Sequence, residues 1–294
     1  MKLLDLSDVR AAWRFVTENP GPVGFAALLY APIFAAQSVW SAQAAVAAPG
    51  AAPLAILAAL GGIAVFVVSL TSWGRIALRR EVGGVFGHKL GAQERRMGIV
   101  ALLLLVLTFT VIGTAFLTLA FMIAALALIN VDPDAPAPEG RIDIFALFGP
   151  GEAVVAVVII TAFTLGSLWF FLRLALAYPA SMALGRVQVL TAWPLSRGTR
   201  AARMLVTVLV AAAPGLGLLA VLNFISQALI GAFPMSASSA VSGGAVTANL
   251  VAFALVSAVH GAGKVALIAA PAAIVLCRIY EQAAAEDASG MTAD

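Results

Sequence analysis

Apolar residues in this chain fall in long unbroken stretches joined by short polar connectors. Six stretches stand out, at residues 22–47, 53–73, 98–128, 153–179, 205–230 and 250–277. Each reaches the ~20 residues that carry a helix across about 30 Å of hydrocarbon. None alternates apolar and polar positions as barrel strands do. The expected fold is all-α: a polytopic membrane helix bundle of six transmembrane helices arranged as three hairpins.

The first twenty residues differ from the rest. Leu3, Leu6, Val9, Trp13 and Val16 recur at helical spacing, with Asp8, Arg14 and Glu18 elsewhere on the wheel, Arg10 at the edge of the stripe and Phe15 off it. Ser7 and Asp8 form a helix start, and Pro20-Gly21-Pro22 a stop. The segment is too short and polar to span and too charged for the apolar core of a cleavable signal. Three parts are therefore expected. They are an interfacial amphipathic helix over 1–20, a membrane domain over 22–279 and a disordered cytoplasmic tail over 280–294.

Composition agrees. Hydrophobic residues make up 62% of the 294 positions and charged residues 11%, with a mean hydropathy of +1.04. A soluble domain is about one-quarter charged, so this is not a large soluble core. A net charge of +3 could point to nucleic acid in a soluble chain. Here the cations cluster in connectors, which is the pattern of membrane topology and contact with anionic lipid, so membrane lipids are the expected partners and no nucleic acid is. Arg75, Arg79, Arg80, Lys89, Arg95 and Arg96 follow the second stretch, and Arg186, Arg197, Arg200 and Arg203 the fourth. The connector after the third stretch carries Asp132, Asp134, Glu139 and Asp143 against Arg141, and residues 231–248 carry no charge. Lysine and arginine excess marks the cytoplasmic side. The expected protein is multi-pass in a bacterial inner membrane, with both termini cytoplasmic.

Two cations lie inside apolar stretches: Arg173, 13 residues before Arg186, and Lys264, 14 before Arg278. On straight helices each would sit about 20 Å from the cytoplasmic end. That depth is costly unless the charge faces the bundle interior, a wet cavity or a partner. No acidic residue occupies the centre of any stretch. The neutral polar groups are Asn223, Ser226 and Gln227, Ser257 and His260, and Thr161, Thr164 and Ser167. His260 and Lys264 share a helix face, as do Asn223 and Gln227. Two readings stand. In one, Arg173, Lys264, His260, Asn223 and Gln227 line a shared cavity for an anion such as a lipid phosphate. In the other, the cations bond to helix carbonyls and these amides, and the polar groups only hold helices together.

Catalytic signals are weak. His260-Gly261-Ala262-Gly263 resembles part of the site of the rhomboid intramembrane proteases. Their serine motif needs a following glycine, and Ser167 is followed by Leu168. The glycine-rich run 83–87 follows no strand and lacks the phosphate-loop lysine spacing. His88 reads as a solvated loop residue, the single Cys277 as a buried inert thiol, and Trp40, Trp73, Trp169 and Trp193 as interface or packing aromatics. With two histidines and one cysteine, no metal site, no cofactor and no catalytic residue is expected.

Pro179-Ala180, Leu184, Arg186-Val187 and Pro271-Ala272, Leu276, Arg278-Ile279 form a repeat: Pro-Ala, then Leu, then Arg seven residues after the proline, then a β-branched residue. Trp73-Gly74-Arg75-Ile76 matches its last part. Arg173, Tyr178-Pro179 and Trp193-x-Leu195-Ser196-Arg197-Gly198 complete a pattern that resembles a group of bacterial six-helix membrane proteins. These include the membrane domain of glycerophosphodiester phosphodiesterases and the YciC-like family. In fused members a separate soluble domain carries the chemistry, so the resemblance implies a membrane module without phosphodiesterase activity. Within the pattern, Ser196 and Thr199 are expected to cap the fifth membrane helix and Trp193 to sit at headgroup level. The expected function is a non-enzymatic module that binds or moves a lipid or anionic amphiphile. The alternatives are a structural or partner subunit beside another membrane protein, and an intramembrane hydrolase.

Overall fold

The computed structural model describes residues 4–45, 50–128, 148–197, 199–232 and 248–290. The acidic connector after the third stretch, most of the uncharged connector after the fifth, and the side chains of Ser226 and Gln227 lie outside the described residues. The described chain is α-helical, with one isolated bridge between Val85 and His88. Its helices are α1 (Leu6–Glu18), α2 (Pro20–Ala45), α3 (Ala51–Arg79), α4 (Ala92–Leu128), α5 (Pro150–Ala175), α6 (Ala177–Leu184), α7 (Thr199–Ala232), α8 (Ala248–Lys264) and α9 (Ala270–Gly290). A 3₁₀ turn, Trp193–Ser196, precedes α7, and a π-helical turn, Val265–Ala269, joins α8 to α9. Six helical spans are long and apolar enough to cross a membrane, as the hydrophobic pattern predicts.

Helix α2 packs against both α3 and α8, α4 lies between α3 and α5, and α9 touches α1, α3, α6 and α7. The core gathers at the end of the bundle that carries the basic connectors, around Trp73, Leu176, Met204 and Val275. The opposite halves of α4 and α5 expose apolar side chains on several faces, including Phe109, Phe116, Phe121 and Val157. That pattern fits a hydrocarbon surround, where an apolar surface costs nothing.

Both repeat prolines follow a break in the helix. Helix α5 stops at Ala175 before Pro179, and the π turn precedes Pro271. Proline has no N–H, so the carbonyl four residues earlier loses its partner. For Pro271 that carbonyl is Leu267, and it lies 2.3 Å from where a Cβ at Gly215 would stand. Only glycine lets α7 approach that closely. After Leu184 the copies diverge. Helix α6 ends on Gly185 at φ 64°, and Arg79 and Arg96 donate to the carbonyls of Met182 and Gly185 at 2.8 and 2.7 Å. Helix α9 runs on instead.

The C-terminal expectation needs correction. Residues 280–294 do not form a disordered tail throughout, because α9 continues to Gly290 with Tyr280 and Ala283 buried and Arg200 paired to Glu286 and Asp287. The N-terminal helix forms where expected and rests on the bundle. Asp8, Ala12 and Phe15 are buried, Val9 and Val16 of the apolar stripe are partly buried against the core, and Leu6 is exposed. Asp8 accepts from Arg203 of α7 at 2.7 Å and from Gln282 of α9 at 3.1 Å, and Arg278 lies 3.9 Å away. Asp5, not Ser7, caps the helix, accepting from the Ser7 N–H at 2.9 Å. Trp13 donates its indole N–H to the Ala211 carbonyl at 3.0 Å, one turn before Pro214 loosens α7. Helix α1 is therefore docked on the bundle through a polar lock.

Candidate functional site

Among the described residues, Arg173, Lys264 and His260, expected to form a shared cavity, each meet a different partner. Arg173 ends α5 with its guanidinium 5.2 Å from the Trp169 ring centre and 5.7 Å from that of Trp193. Its backbone carbonyl accepts from Ser196 Oγ at 3.2 Å. The connector after α6 folds back, so the 3₁₀ turn returns to the level of Arg173. Thirteen residues of separation from Arg186 thus do not measure depth, because the path is not a straight helix. Lys264 is exposed, with its Nζ 4.6 Å from the centre of the Phe34 ring on α2. Gly261 explains that placement: a Cβ there would lie 2.6 Å from Phe34, so α8 and α2 are in close contact. His260 bonds through Nδ1 to its own helix, at the Val256 carbonyl 2.9 Å away, and is not joined to Ser167. Asn223 is exposed on α7, and the side chain of Gln227 lies outside the described residues.

The resemblance motif does converge. Arg173, Trp193 and Ser196 form one joint, Pro179 is buried, and Tyr178 Oη hydrogen-bonds Thr71 at 2.8 Å. Aromatic faces hold the Arg173 charge by cation–π attraction, worth about 0.5–2 kcal/mol. Ser196 Oγ bonds to the Arg173 and Trp193 carbonyls, and the side chain of Thr199, the other expected cap, lies outside the described residues.

A different site emerges on α2, α3 and α4. The connector from Arg80 to Gly91 folds into a tight turn. Val85 and His88 exchange two backbone hydrogen bonds of 2.9 Å, and the residues between them, Phe86 and Gly87, both have positive φ (47° and 81°). That is a type I′ turn with phenylalanine in a position that favours asparagine or glycine. The Phe86 ring packs on Phe25. The Gly87 carbonyl accepts from Ser72 Oγ at 2.8 Å and from the Arg75 guanidinium. Arg75 is fully buried and paired with Glu94 in the first turn of α4, where a carboxylate also meets the positive end of the helix dipole.

Two apolar grooves open beneath this turn. One, of about 570 Å³, runs between α3 and α4 along Ile63, Val67, Gly98, Ala101 and Leu105 and ends at Glu94 and Arg95. The other, of about 450 Å³, lies between α2 and α3 along Leu29, Val65 and Val68 and ends at His88 and Lys89. Ala64, Val68 and Leu90 line both, and Leu90 stands 87% exposed between them. Each volume falls within the about 300–1,000 Å³ of ligand sites. At the polar ends, Arg95 and Lys89 are exposed cations, while Glu94 Oε2 and His88 Nε2 are buried acceptors without a hydrogen-bond partner.

His88 is buried rather than solvated, at 7% exposure. Its Nδ1–H donates to the Phe86 carbonyl at 2.9 Å. Burial lowers its pKa below the usual histidine range; the Phe86 carbonyl opposes that shift and nearby Arg75 adds to it. A histidine whose folded pKa is depressed stabilises the fold above its unfolded value of about 6.5, and that stability is lost as pH falls. Acidification from pH 7.5 to 5.5 should lower the amide protection factors of residues 80–91, measured rates being referred to the intrinsic rate at each pH, in wild type. In His88→Gln the protection factors should not respond to pH. Equal pH responses in both proteins would show that another group controls the turn.

The basic connectors hid this site. Arg75 reads as one loop cation among six, and Glu94 carries no reading of its own. The available signal was the pairing of that acid, at a helix start, with an arginine still inside an apolar run. Comparison with family models, curated proteins and solved structures finds no match to this chain.

Proposed function

We propose that this chain is a non-enzymatic membrane module that holds a phospholipid in the paired grooves on α2, α3 and α4. The carrying observation is the combination of two adjacent apolar grooves that share Ala64, Val68 and Leu90, one lined by Arg95 and the other by Lys89. A diacyl lipid has the matching form: two apolar chains under one phosphate. The basic connectors, α1 and the end of α9 lie at one end of the bundle, which on the positive-inside rule is the cytoplasmic leaflet of a bacterial inner membrane. The Arg173 joint favours a second role, as a scaffold for a partner, because two tryptophan faces hold its cation in place while its buried Nε and Nη1 have no hydrogen-bond partner. The resemblance to the phosphodiesterase membrane domain and the YciC-like proteins agrees with a module of either kind.

Native mass spectrometry of the purified protein tests the lipid reading. Each interfacial cation attracts an anionic lipid surface by about 1 kcal/mol, so Lys89→Ala/Arg95→Ala should weaken retention about thirtyfold. Gly98→Leu should displace the lipid by filling the larger groove. A Cβ at Gly98 meets nothing within 4 Å, and leucine has the better helix propensity, so the fold should survive. Arg186→Ala, at an exposed cation outside the grooves, should change nothing. Unchanged retention in both groove variants would sink the reading.

A further inference from the structure

We infer that the groove pair selects a phospholipid with an ammonium headgroup, of the phosphatidylethanolamine class, through the unpartnered acceptors Glu94 Oε2 and His88 Nε2. The inference rests on the lipid reading above and adds the identity of the headgroup.

Each groove ends on one cation and one bare acceptor: Arg95 beside Glu94 in the larger, Lys89 beside His88 in the smaller. A phosphate satisfies the cations but offers the acceptors nothing. Glu94 is 5% exposed, and its Oε1 is taken by Arg75. Its second oxygen sits where Gly91 leaves room, 3.2 Å from the position a Cβ would take. Carboxylate oxygens buried without a donor are costly, and native structures seldom leave them so. His88 presents the same demand, because its Nδ1 carries the proton donated to Phe86 and leaves Nε2 as an acceptor. The unpartnered buried donors nearby, Arg75 Nε and Gln93 Nε2, belong to residues that line neither groove.

The missing group is therefore a hydrogen-bond donor located next to a phosphate. A primary ammonium supplies three N–H donors and a positive charge for the carboxylate, and charge-assisted bonds of this kind are the strong ones. A choline headgroup carries the same charge with no N–H. A glycerol headgroup donates through hydroxyls but lacks the charge.

Wild-type protein in native mass spectrometry, competed between matched-chain lipids, separates these chemistries without any substitution. Phosphatidylethanolamine should be retained about tenfold over phosphatidylcholine, the ratio given by one charge-assisted bond, and retention should fall with each N-methyl group added. It should also exceed phosphatidylglycerol. His88→Leu, which leaves the buried Arg75–Glu94 pair intact, should narrow the preference for ethanolamine over choline while still retaining lipid. Equal retention of ethanolamine and choline lipids, or a preference for the glycerol lipid, would overturn the headgroup inference and leave the grooves as a lipid site. No retention of any phospholipid would overturn both.

Discussion

Asp8→Ala should release α1 from the bundle. Asp8 is completely buried and holds Arg203, which is itself almost enclosed, with Gln282 as a second partner. Removing the carboxylate leaves a buried guanidinium with only Asp5, 3.7 Å away and partly exposed, as a counter-charge. Breaking a buried pair in this way costs about 3–5 kcal/mol. The apolar contacts of Ala12, Phe15 and Trp13 remain, so the loss falls first on α1 and not on the spans. Hydrogen exchange of residues 6–18 should rise sharply while that of α3 and α9 changes little. Asp8→Asn keeps an acceptor for Gln282 and should lose less. Arg203→Leu placed on Asp8→Ala should recover part of the loss, since it removes the stranded charge. Unaltered protection of α1 in Asp8→Ala would show that the apolar contacts alone hold the helix.

Span positions and fold class were legible because membrane crossing is written in length and apolarity, which the six stretches satisfy without reference to one another. Contacts between helices were not. The apolar stripe of α1 suggested an interfacial helix; part of it, Val9 and Val16, packs on the core, and Asp8, Ala12 and Phe15 on the adjoining face are the residues most fully buried. Arg173 and Lys264 drew attention as isolated charges in apolar runs, yet both rest on aromatic rings. Where a cation meets an aromatic ring depends on where another element returns, which spacing along one helix does not encode. The groove pair was invisible for the same reason, being made by small residues, Ala64, Gly98 and Ala101, placed opposite one another by packing.

Arg75→Leu should be among the most destabilising single changes in the protein, and a second change should repair most of it. Arg75 is buried at the end of α3, where it joins the Glu94 carboxylate and the Gly87 carbonyl, so it ties α3, the 80–91 turn and the start of α4 together. Leucine would strand a carboxylate at 5% exposure, at a cost of about 3–5 kcal/mol. The turn would keep the 2.8 Å bond from Ser72 to Gly87. In Arg75→Leu/Glu94→Leu the stranded charge is gone. Well-packed apolar replacements of buried ion pairs are often neutral, so the double variant should melt well above the single one in detergent. It should nonetheless remain below wild type, because Gly87 has lost a donor and α4 an acid in its first turn. A double variant whose melting temperature falls by the sum of the two single losses would show that Arg75 and Glu94 act separately, and that the turn is held by Ser72 and the Val85–His88 bonds alone.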